Sequence, residues 1–188
     1  MNLPTKLSLF VNRIASIRNL VILLVVTLLF SMVVFPWLDA ITLGDNGEML
    51  DMRFSYTPEA AYAEIEGYGT AGRSGIMWVS LIADSLFPFA YAFALAILIT
   101  LTFRRAFPLD SLMQRLHLFP FGALVFDFLE NITVSALILL YPRQYYGLAR
   151  LAAAFTSTKW VLVYLSALLA LVGLVGLLFS HRKAAPQP

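Results

Sequence analysis

Three acidic side chains lie within long apolar stretches of this 188-residue chain, where a charged group needs a specific reason to be present. Asp84 lies in one stretch, and Asp127 and Glu130 lie together in a later one. A charge at bilayer depth costs about 2.5–3.5 kcal/mol on insertion scales, so such residues usually face the interior of a helix bundle and have partners. These acids are therefore the first candidates for catalysis or binding.

Asp84 shares a helix face with Pro88 and Tyr91, because the three are spaced i, i+4 and i+7. Proline has no backbone N–H, so Pro88 is expected to bend the helix and to leave a carbonyl near Asp84 free for another partner. Lys159 stands near the start of the last apolar stretch. Its side chain is long enough either to reach inward to Asp84 or to extend outward to the membrane interface.

A second polar stripe contains Asp127, Glu130 and Asn131, at i, i+3 and i+4 near the middle of their helix. With a rise of 1.5 Å per residue, Asp84 is expected roughly 12 Å, and Glu130 and Asn131 roughly 16 Å, below the outer ends of their spans. These depths are similar, so one cavity could hold both stripes.

The functional interpretation is a polar pocket in the outer half of the bundle. The predicted binding residues are Asp84, Tyr91, Asp127, Glu130, Asn131 and Lys159. The three acids are also the catalytic candidates, since paired carboxyl groups suit general acid–base work on a lipid-like substrate, recognition of a cationic amphiphile, or a proton step. The alternative is structural: polar side chains in membrane bundles also hydrogen-bond the helices together.

Composition narrows the class of protein. Hydrophobic residues make up 60% of the chain and charged residues 13%, which does not fit a soluble multi-domain protein. The chain has no cysteine, which excludes disulfides, thiolate metal sites and cysteine nucleophiles. The net charge of +2 gives no reason to expect nucleic-acid binding. We expect no cofactor and no metal, with a carboxylate site built from the three acids as a minor alternative.

The fold is predicted to be all-α, a four-helix transmembrane bundle. A spanning helix needs about 20 mostly apolar residues. Four stretches qualify, at about residues 20–37, 76–103, 118–141 and 156–179. The first is too long for the apolar part of a cleaved signal peptide and is interpreted as retained. A single transmembrane domain is expected over residues 1–183, followed by a disordered tail at 184–188.

Orientation follows from the basic residues beside the spans, which concentrate on the cytoplasmic side. With four spans, eight basic residues would lie on one side of the membrane: Lys6, Arg13, Arg18, Arg104, Arg105, Arg115, Arg182 and Lys183. The other side would hold Arg53, Arg73, Arg143, Arg150 and Lys159. Both termini are therefore expected in the cytoplasm, and the protein is expected in a cell inner membrane.

Two segments outside the spans are expected to be helical. Apolar residues recur at helical spacing from Leu3 to Ile17, which predicts an amphipathic helix on the inner membrane surface or, alternatively, only a positive flank of the first span. The outer loop, 40–75, should contain one short helix, with Thr57 as N-cap, Pro58 in its first turn and Gly67 at its end. The glycine-rich stretch after Gly67 is expected to be flexible or tightly turned.

Four sequence motifs carry a resemblance to known proteins. Tyr56-Thr57-Pro58-Glu59-Ala60-Ala61-Tyr62, Asp84 with Phe87-Pro88 and Tyr91, Phe126-Asp127-x-x-Glu130-Asn131, and Thr158-Lys159-Trp160 together resemble a family of small bacterial four-span membrane proteins. This resemblance covers about residues 51–160. It implies the architecture and supplies no activity.

A weaker resemblance is to the EXPERA group, the sterol isomerase and sigma-2 receptor-like proteins. The stretch from Asp84 through Pro88 to Tyr91 is similar to the acid-led, proline- and aromatic-rich second span of that group, and Asp39 ends the first span as an acid does there. The Asp127–Asn131 motif departs from the group's pattern. Two hypotheses follow from the sequence: a pocket protein for a lipid or other amphiphile, or a non-catalytic accessory subunit. The expected partners are membrane lipids, other membrane subunits or further copies of the chain.

Overall fold

The computed structural model describes residues 3–44 and 48–183, and within those residues it contains helices and no strand. The helices are α1 Leu3–Ile14, α2 Ile17–Leu29, α3 Phe35–Thr42, α4 Pro58–Gly67, α5 Gly69–Trp78, α6 Asp84–Ala106, α7 Pro120–Leu140 and α8 Tyr146–Lys183. Single π-helical turns, Phe30–Val34 and Val79–Ala83, join α2 to α3 and α5 to α6. Short 3₁₀ helices cover Leu50–Met52 and Leu112–Leu118. The predicted tail, 184–188, lies outside the described residues.

In the part of the chain that the structure describes, four helical runs are long and apolar enough to cross a membrane. They are Ile17–Thr42, Gly69–Ala106, Leu112–Leu140 and Tyr146–Phe179. The all-helical class and the four apolar stretches are therefore confirmed. Most of the ends lie beyond the predicted boundaries, because the helices continue past the apolar residues into polar ones.

Helices α6, α7 and α8 pack against one another, and α2 packs on α6. Burial is uneven among the four runs. In the most apolar 18-residue stretch of the Gly69–Ala106 run, 61% of the residues are buried, whereas none is buried in the corresponding stretch of the Ile17–Thr42 run. Buried apolar clusters lie among α6, α7 and α8, and a further cluster forms where Leu43 and residues 49–79 pack on α7 and α8. Helix α2 is attached at the side of the bundle. We call the end of the bundle that carries residues 48–68 the α4 end, and the opposite one the α1 end.

Residues 48–68 fold over the α4 end. Thr57 caps α4 by accepting a hydrogen bond from the backbone N–H of Ala60 at 3.2 Å, with Pro58 at the first helical position, as predicted. Arg53 Nη2 pairs with Glu64 Oε2 at 2.5 Å, and Tyr68 donates its hydroxyl to the Glu48 carbonyl at 2.8 Å. The segment is therefore held by its own polar contacts and by apolar side chains such as Leu50 and Ile65, which are buried in the core.

The glycine-rich stretch after α4 is helical, and the expectation of a flexible or tightly turned segment is wrong for most of it. Only Gly69 adopts a positive φ, +62°, where the chain passes from α4 into α5. A Cβ added at Gly72 would lie 3.2 Å from Tyr68 Cβ and 3.4 Å from the Leu43 side chain. Glycine is needed here because α5 packs closely against the end of α3.

The predicted N-terminal helix is present as α1. It packs against α6 and the 3₁₀ helix Leu112–Leu118. Val11 is fully buried, whereas Leu3 and Phe10 remain exposed. Arg104 Nη2 donates to the Asn12 carbonyl at 3.0 Å, which links α1 to the end of α6. The position of this helix is thus fixed by both apolar and polar contacts.

Candidate functional site

A cavity of about 370 Å³ lies between α2, α6, α7, α8 and residues 49–52. Its polar lining residues are Thr27, Ser31, Asp51, Asp84, Tyr91, Asp127 and Lys159. Its apolar lining residues are Phe35, Met49, Met52, Phe87, Leu95, Trp160 and Val163. Cavities of about 300–1,000 Å³ with mostly apolar walls and a few convergent polar groups are typical of small-molecule sites.

Four of the six predicted binding residues line this cavity, and two lie outside it. Asp84, Tyr91, Asp127 and Lys159 contribute to its wall. The side chains of Glu130 and Asn131 are buried among the helices instead, with exposed fractions of 0% and 2%. The predicted single pocket is therefore divided into a cavity and a set of interhelical contacts beside it.

Asn131 connects α7 to α6 at the proline in α6. Its side-chain amide donates to the main-chain oxygen of Asp84 at 3.1 Å and lies 3.5 Å from Asp127 Oδ1. In a regular helix the Asp84 carbonyl would accept from the backbone N–H of residue 88, which proline lacks. The prediction that Pro88 frees a carbonyl near Asp84 for another partner is thus confirmed, and the partner is Asn131.

Tyr91 connects the same two helices one turn further along. Its hydroxyl donates to Asp127 Oδ2 at 2.8 Å, and both groups are almost fully buried. A carboxylate that accepts hydrogen bonds from a phenol and an amide is well solvated by the protein. Asp127 therefore has partners inside the bundle, although it also borders the cavity.

Glu130 connects α7 to α8 through a buried ion pair. Its Oε2 lies 2.5 Å from Lys159 Nζ, and its Oε1 accepts from the Thr156 hydroxyl at 2.5 Å. The Tyr56 hydroxyl oxygen lies 3.3 Å from Thr156 Oγ1. Lys159 thus neither reaches inward to Asp84 nor extends to the interface, because a closer acid on the neighbouring helix neutralises it.

Residues 51–54 close the α4 end of the cavity. The Asp51 carbonyl accepts from Trp160 Nε1 at 3.0 Å and lies 3.4 Å from Lys159 Nζ. Ser157 donates to the Phe54 carbonyl at 3.0 Å. Neither Asp51 nor Trp160 is among the residues that the sequence predicts for the site. The one available signal was the excess of acids in the loop 40–75.

The Asp84 carboxylate differs from the other buried acids. It borders the cavity and has an exposed fraction of 7%. Among the residues that the structure describes, no group donates a hydrogen bond to its carboxylate oxygens. Glu130, Asp127 and Asn131 tie helices together, which fits the structural alternative, but Asp84 makes no such side-chain contact.

The charges around the cavity favour a cationic or hydrogen-bond-donating occupant. Asp51, Asp84 and Asp127 all line it, and the charge of Lys159 is matched by Glu130 behind the wall. Within residues 3–44 and 48–183, no group of three or more histidine, cysteine or acidic residues is arranged to hold a metal ion. Glu130, one of the three acids considered for a shared metal site, contacts Lys159 and Thr156 instead.

Comparison of the chain with protein-family models, with curated proteins and with solved structures found no match.

Proposed function

We propose that this protein is a membrane-embedded binding protein for an amphiphilic small molecule or lipid. The occupant's positively charged or hydrogen-bond-donating group meets Asp84, and its apolar part lies against the aromatic and aliphatic wall of the cavity. The observation that carries this proposal is the Asp84 carboxylate, which is buried, borders the cavity and lacks a donor. Because the protein supplies no hydrogen-bond donor to this carboxylate, an occupant of the cavity can supply one.

Binding is the activity that the geometry supports best. Any proton exchange with the occupant would involve Asp84 or the hydrogen-bonded pair of Tyr91 and Asp127, because these groups border the cavity. Glu130, the third catalytic candidate, does not line it. Its role in this proposal is to neutralise and position Lys159.

The proposal also includes the orientation of the helices in the membrane. The chain crosses a bacterial inner membrane four times, with both termini in the cytoplasm and the α4 end outside, as the distribution of basic residues favours. The acidic cavity then lies in the outer half of the membrane and is closed on the outside by residues 51–54. The resemblance of the four sequence motifs to small bacterial four-span membrane proteins is consistent with this arrangement.

The test is purification from native membranes in a mild detergent or nanodisc, followed by native mass spectrometry. A reproducible adduct of lipid-like mass on a monomer or small homo-oligomer supports the proposal, and tandem fragmentation identifies the occupant. Asp110→Asn, at an exposed acid of the α1 end, provides a matched control for Asp84→Asn. Absence of an adduct from the wild-type protein under conditions that retain annular lipids would contradict the proposal.

A second candidate, an accessory subunit of a larger membrane complex, is favoured by the first apolar run. None of its most apolar 18-residue window is buried, so a long apolar surface is left for lipid or for another protein. Stoichiometric co-purification of other membrane subunits without an adduct supports this candidate over the first.

A further inference from the structure

A second cavity, of about 360 Å³, lies at the α1 end, well separated along the helices from the acidic one. It is formed by the first turns of α1 and by the segment before α7, and it is lined by Pro4, Thr5, Ser8, Leu9, Arg115 and Leu118. The lining thus combines one guanidinium and two hydroxyl groups with apolar side chains. No acid is among these residues.

Arg115 is the cation of this cavity, and its charge is not neutralised by the protein. Among the described residues no carboxylate or carbonyl pairs with its guanidinium. Arg104, at the same end, donates to Asn12, whereas Arg115 has no such partner in the described ranges. A planar guanidinium with free N–H groups is well suited to bind two oxygens of one phosphate.

The wall opposite Arg115 is held in place. His117 Nε2 lies 3.0 Å from Ser8 Oγ, and Val11 of α1 is fully buried against the bundle. The cavity is therefore a built feature between two fixed segments, rather than a gap beside a loose terminal helix.

The charge around the cavity has one sign. Lys6, Arg13, Arg18, Arg104, Arg105 and Arg115 lie at this end of the chain's helices, against a single acid, Asp110. Basic pockets beside transmembrane helices attract anionic headgroups, and each basic residue near the surface strengthens this binding roughly fivefold.

We propose that this cavity binds a phosphate group, carried either by the headgroup of an anionic lipid or by a free phosphate compound. Arg115 binds the phosphate oxygens, and Leu9 and Leu118 pack against the carbon chain that carries the phosphate. This site is independent of the proposed amphiphile site at Asp84, and its failure would leave that proposal untouched.

The experiment uses the full chain in phosphatidylcholine nanodiscs that contain a minor fraction of phosphatidylglycerol, with retained lipid counted by native mass spectrometry. The variants are Arg115→Gln and Arg115→Lys, and the matched control is Arg150→Gln, which removes an exposed arginine near the α4 end. Wild type and the Arg150→Gln control should retain phosphatidylglycerol, whereas Arg115→Gln should retain roughly fivefold less. Arg115→Lys should fall between them, because it keeps the charge and loses the planar donors.

A second arm titrates inorganic phosphate into the lipid-free protein in detergent by calorimetry. Binding of phosphate by wild type but not by Arg115→Gln, without preference for phosphatidylglycerol in nanodiscs, supports the site and assigns it to a free phosphate compound. Equal lipid retention by Arg115→Gln and Arg150→Gln, together with no phosphate binding, overturns the proposal.

Discussion

The side-chain amide of Asn131 donates to the main-chain oxygen of Asp84 at 3.1 Å, and so replaces the backbone donor that Pro88 removes from α6. One hydrogen bond thereby satisfies a buried carbonyl and joins α6 to α7 beside the cavity. The same contact fixes the backbone that carries the Asp84 carboxylate. A proline that would otherwise weaken the helix is thus accommodated by a neighbouring helix.

This relationship predicts coupling between positions 88 and 131. Asn131→Ala leaves the Asp84 carbonyl without a donor and should lower the free energy of unfolding by about 1–2 kcal/mol. In a Pro88→Ala background the helix supplies its own donor, so the same substitution should cost roughly 1 kcal/mol less. The measurement is a double-mutant cycle, with unfolding followed in mixed micelles. Simple addition of the two single effects would show that the bond does not compensate for the proline.

The buried pair of Glu130 and Lys159 predicts a different pattern. Glu130→Gln or Lys159→Met alone leaves one buried charge without its partner, and each should destabilise the protein by about 3 kcal/mol. The double variant removes both charges, so its loss in the free energy of unfolding should be clearly smaller than the sum of the losses of the two single variants. The same unfolding assay tests this. Additive losses would mean that the 2.5 Å contact contributes little interaction energy.

Helix packing at Gly173 gives a third prediction. A Cβ at this position would lie 2.8 Å from Thr102 Cβ and 2.9 Å from Phe103 Cδ1, so Gly173→Ala forces α8 away from α6. We expect a loss of about 1–3 kcal/mol in the free energy of unfolding. Gly147→Ala in the same helix is the control, because nothing lies within 4 Å of the added Cβ. Equal stabilities of the two variants would contradict the close packing of α6 and α8.

Alkaline pH should destabilise the α4 end. Burial raises the pKa of Tyr56 and of Tyr68 above the ordinary value of 10.0, and the Glu64 charge adds to the effect at Tyr68. The unfolded chain therefore releases these protons first, so the stabilisation is complete below the unfolded pKa and is lost as the pH rises above it. The combined variant Tyr56→Phe and Tyr68→Phe should show a shallower loss of stability from about pH 10 to about pH 12.

The control for this pH series is Tyr164→Phe, which removes an exposed hydroxyl. The free energy of unfolding of this variant should fall with rising pH in the same way as that of wild type. If the double variant has the same slope as wild type, the two buried tyrosines do not set the alkaline limit.

Much of the architecture can be predicted from the sequence because the responsible signals are local. Long apolar stretches mark the candidate spans, and Thr57 followed by Pro58 marks the start of α4. Pro88 predicts a free carbonyl by its covalent structure alone. The glycine-rich stretch after Gly67 misleads for the opposite reason: glycine permits both a turn and close helix packing, and only the tertiary contacts show which one applies.

The arrangement of the site cannot be predicted in the same way. Helical spacing places Asp127, Glu130 and Asn131 on one face, but it does not say which neighbour each of them meets. Lys159 pairs with Glu130 rather than Asp84 because of how α8 is rotated against α7, and residue spacing along one helix does not report that rotation. The contact of Trp160 with the Asp51 carbonyl joins residues 109 positions apart, so the loop's part in the cavity has no local signal.

The most direct test of the central claim compares ligand retention and stability in Asp84→Asn and Asp110→Asn. Asp84→Asn should lose the lipid-like adduct in native mass spectrometry, and its ligand-free form should be at least as stable as ligand-free wild type, because the Asp84 carboxylate holds no helix in place. The Asp110→Asn control should keep both properties. A ligand-free Asp84→Asn protein that unfolds earlier than ligand-free wild type, or an Asp84→Asn protein that retains the adduct in full, would contradict the claim that Asp84 is the binding group of this cavity.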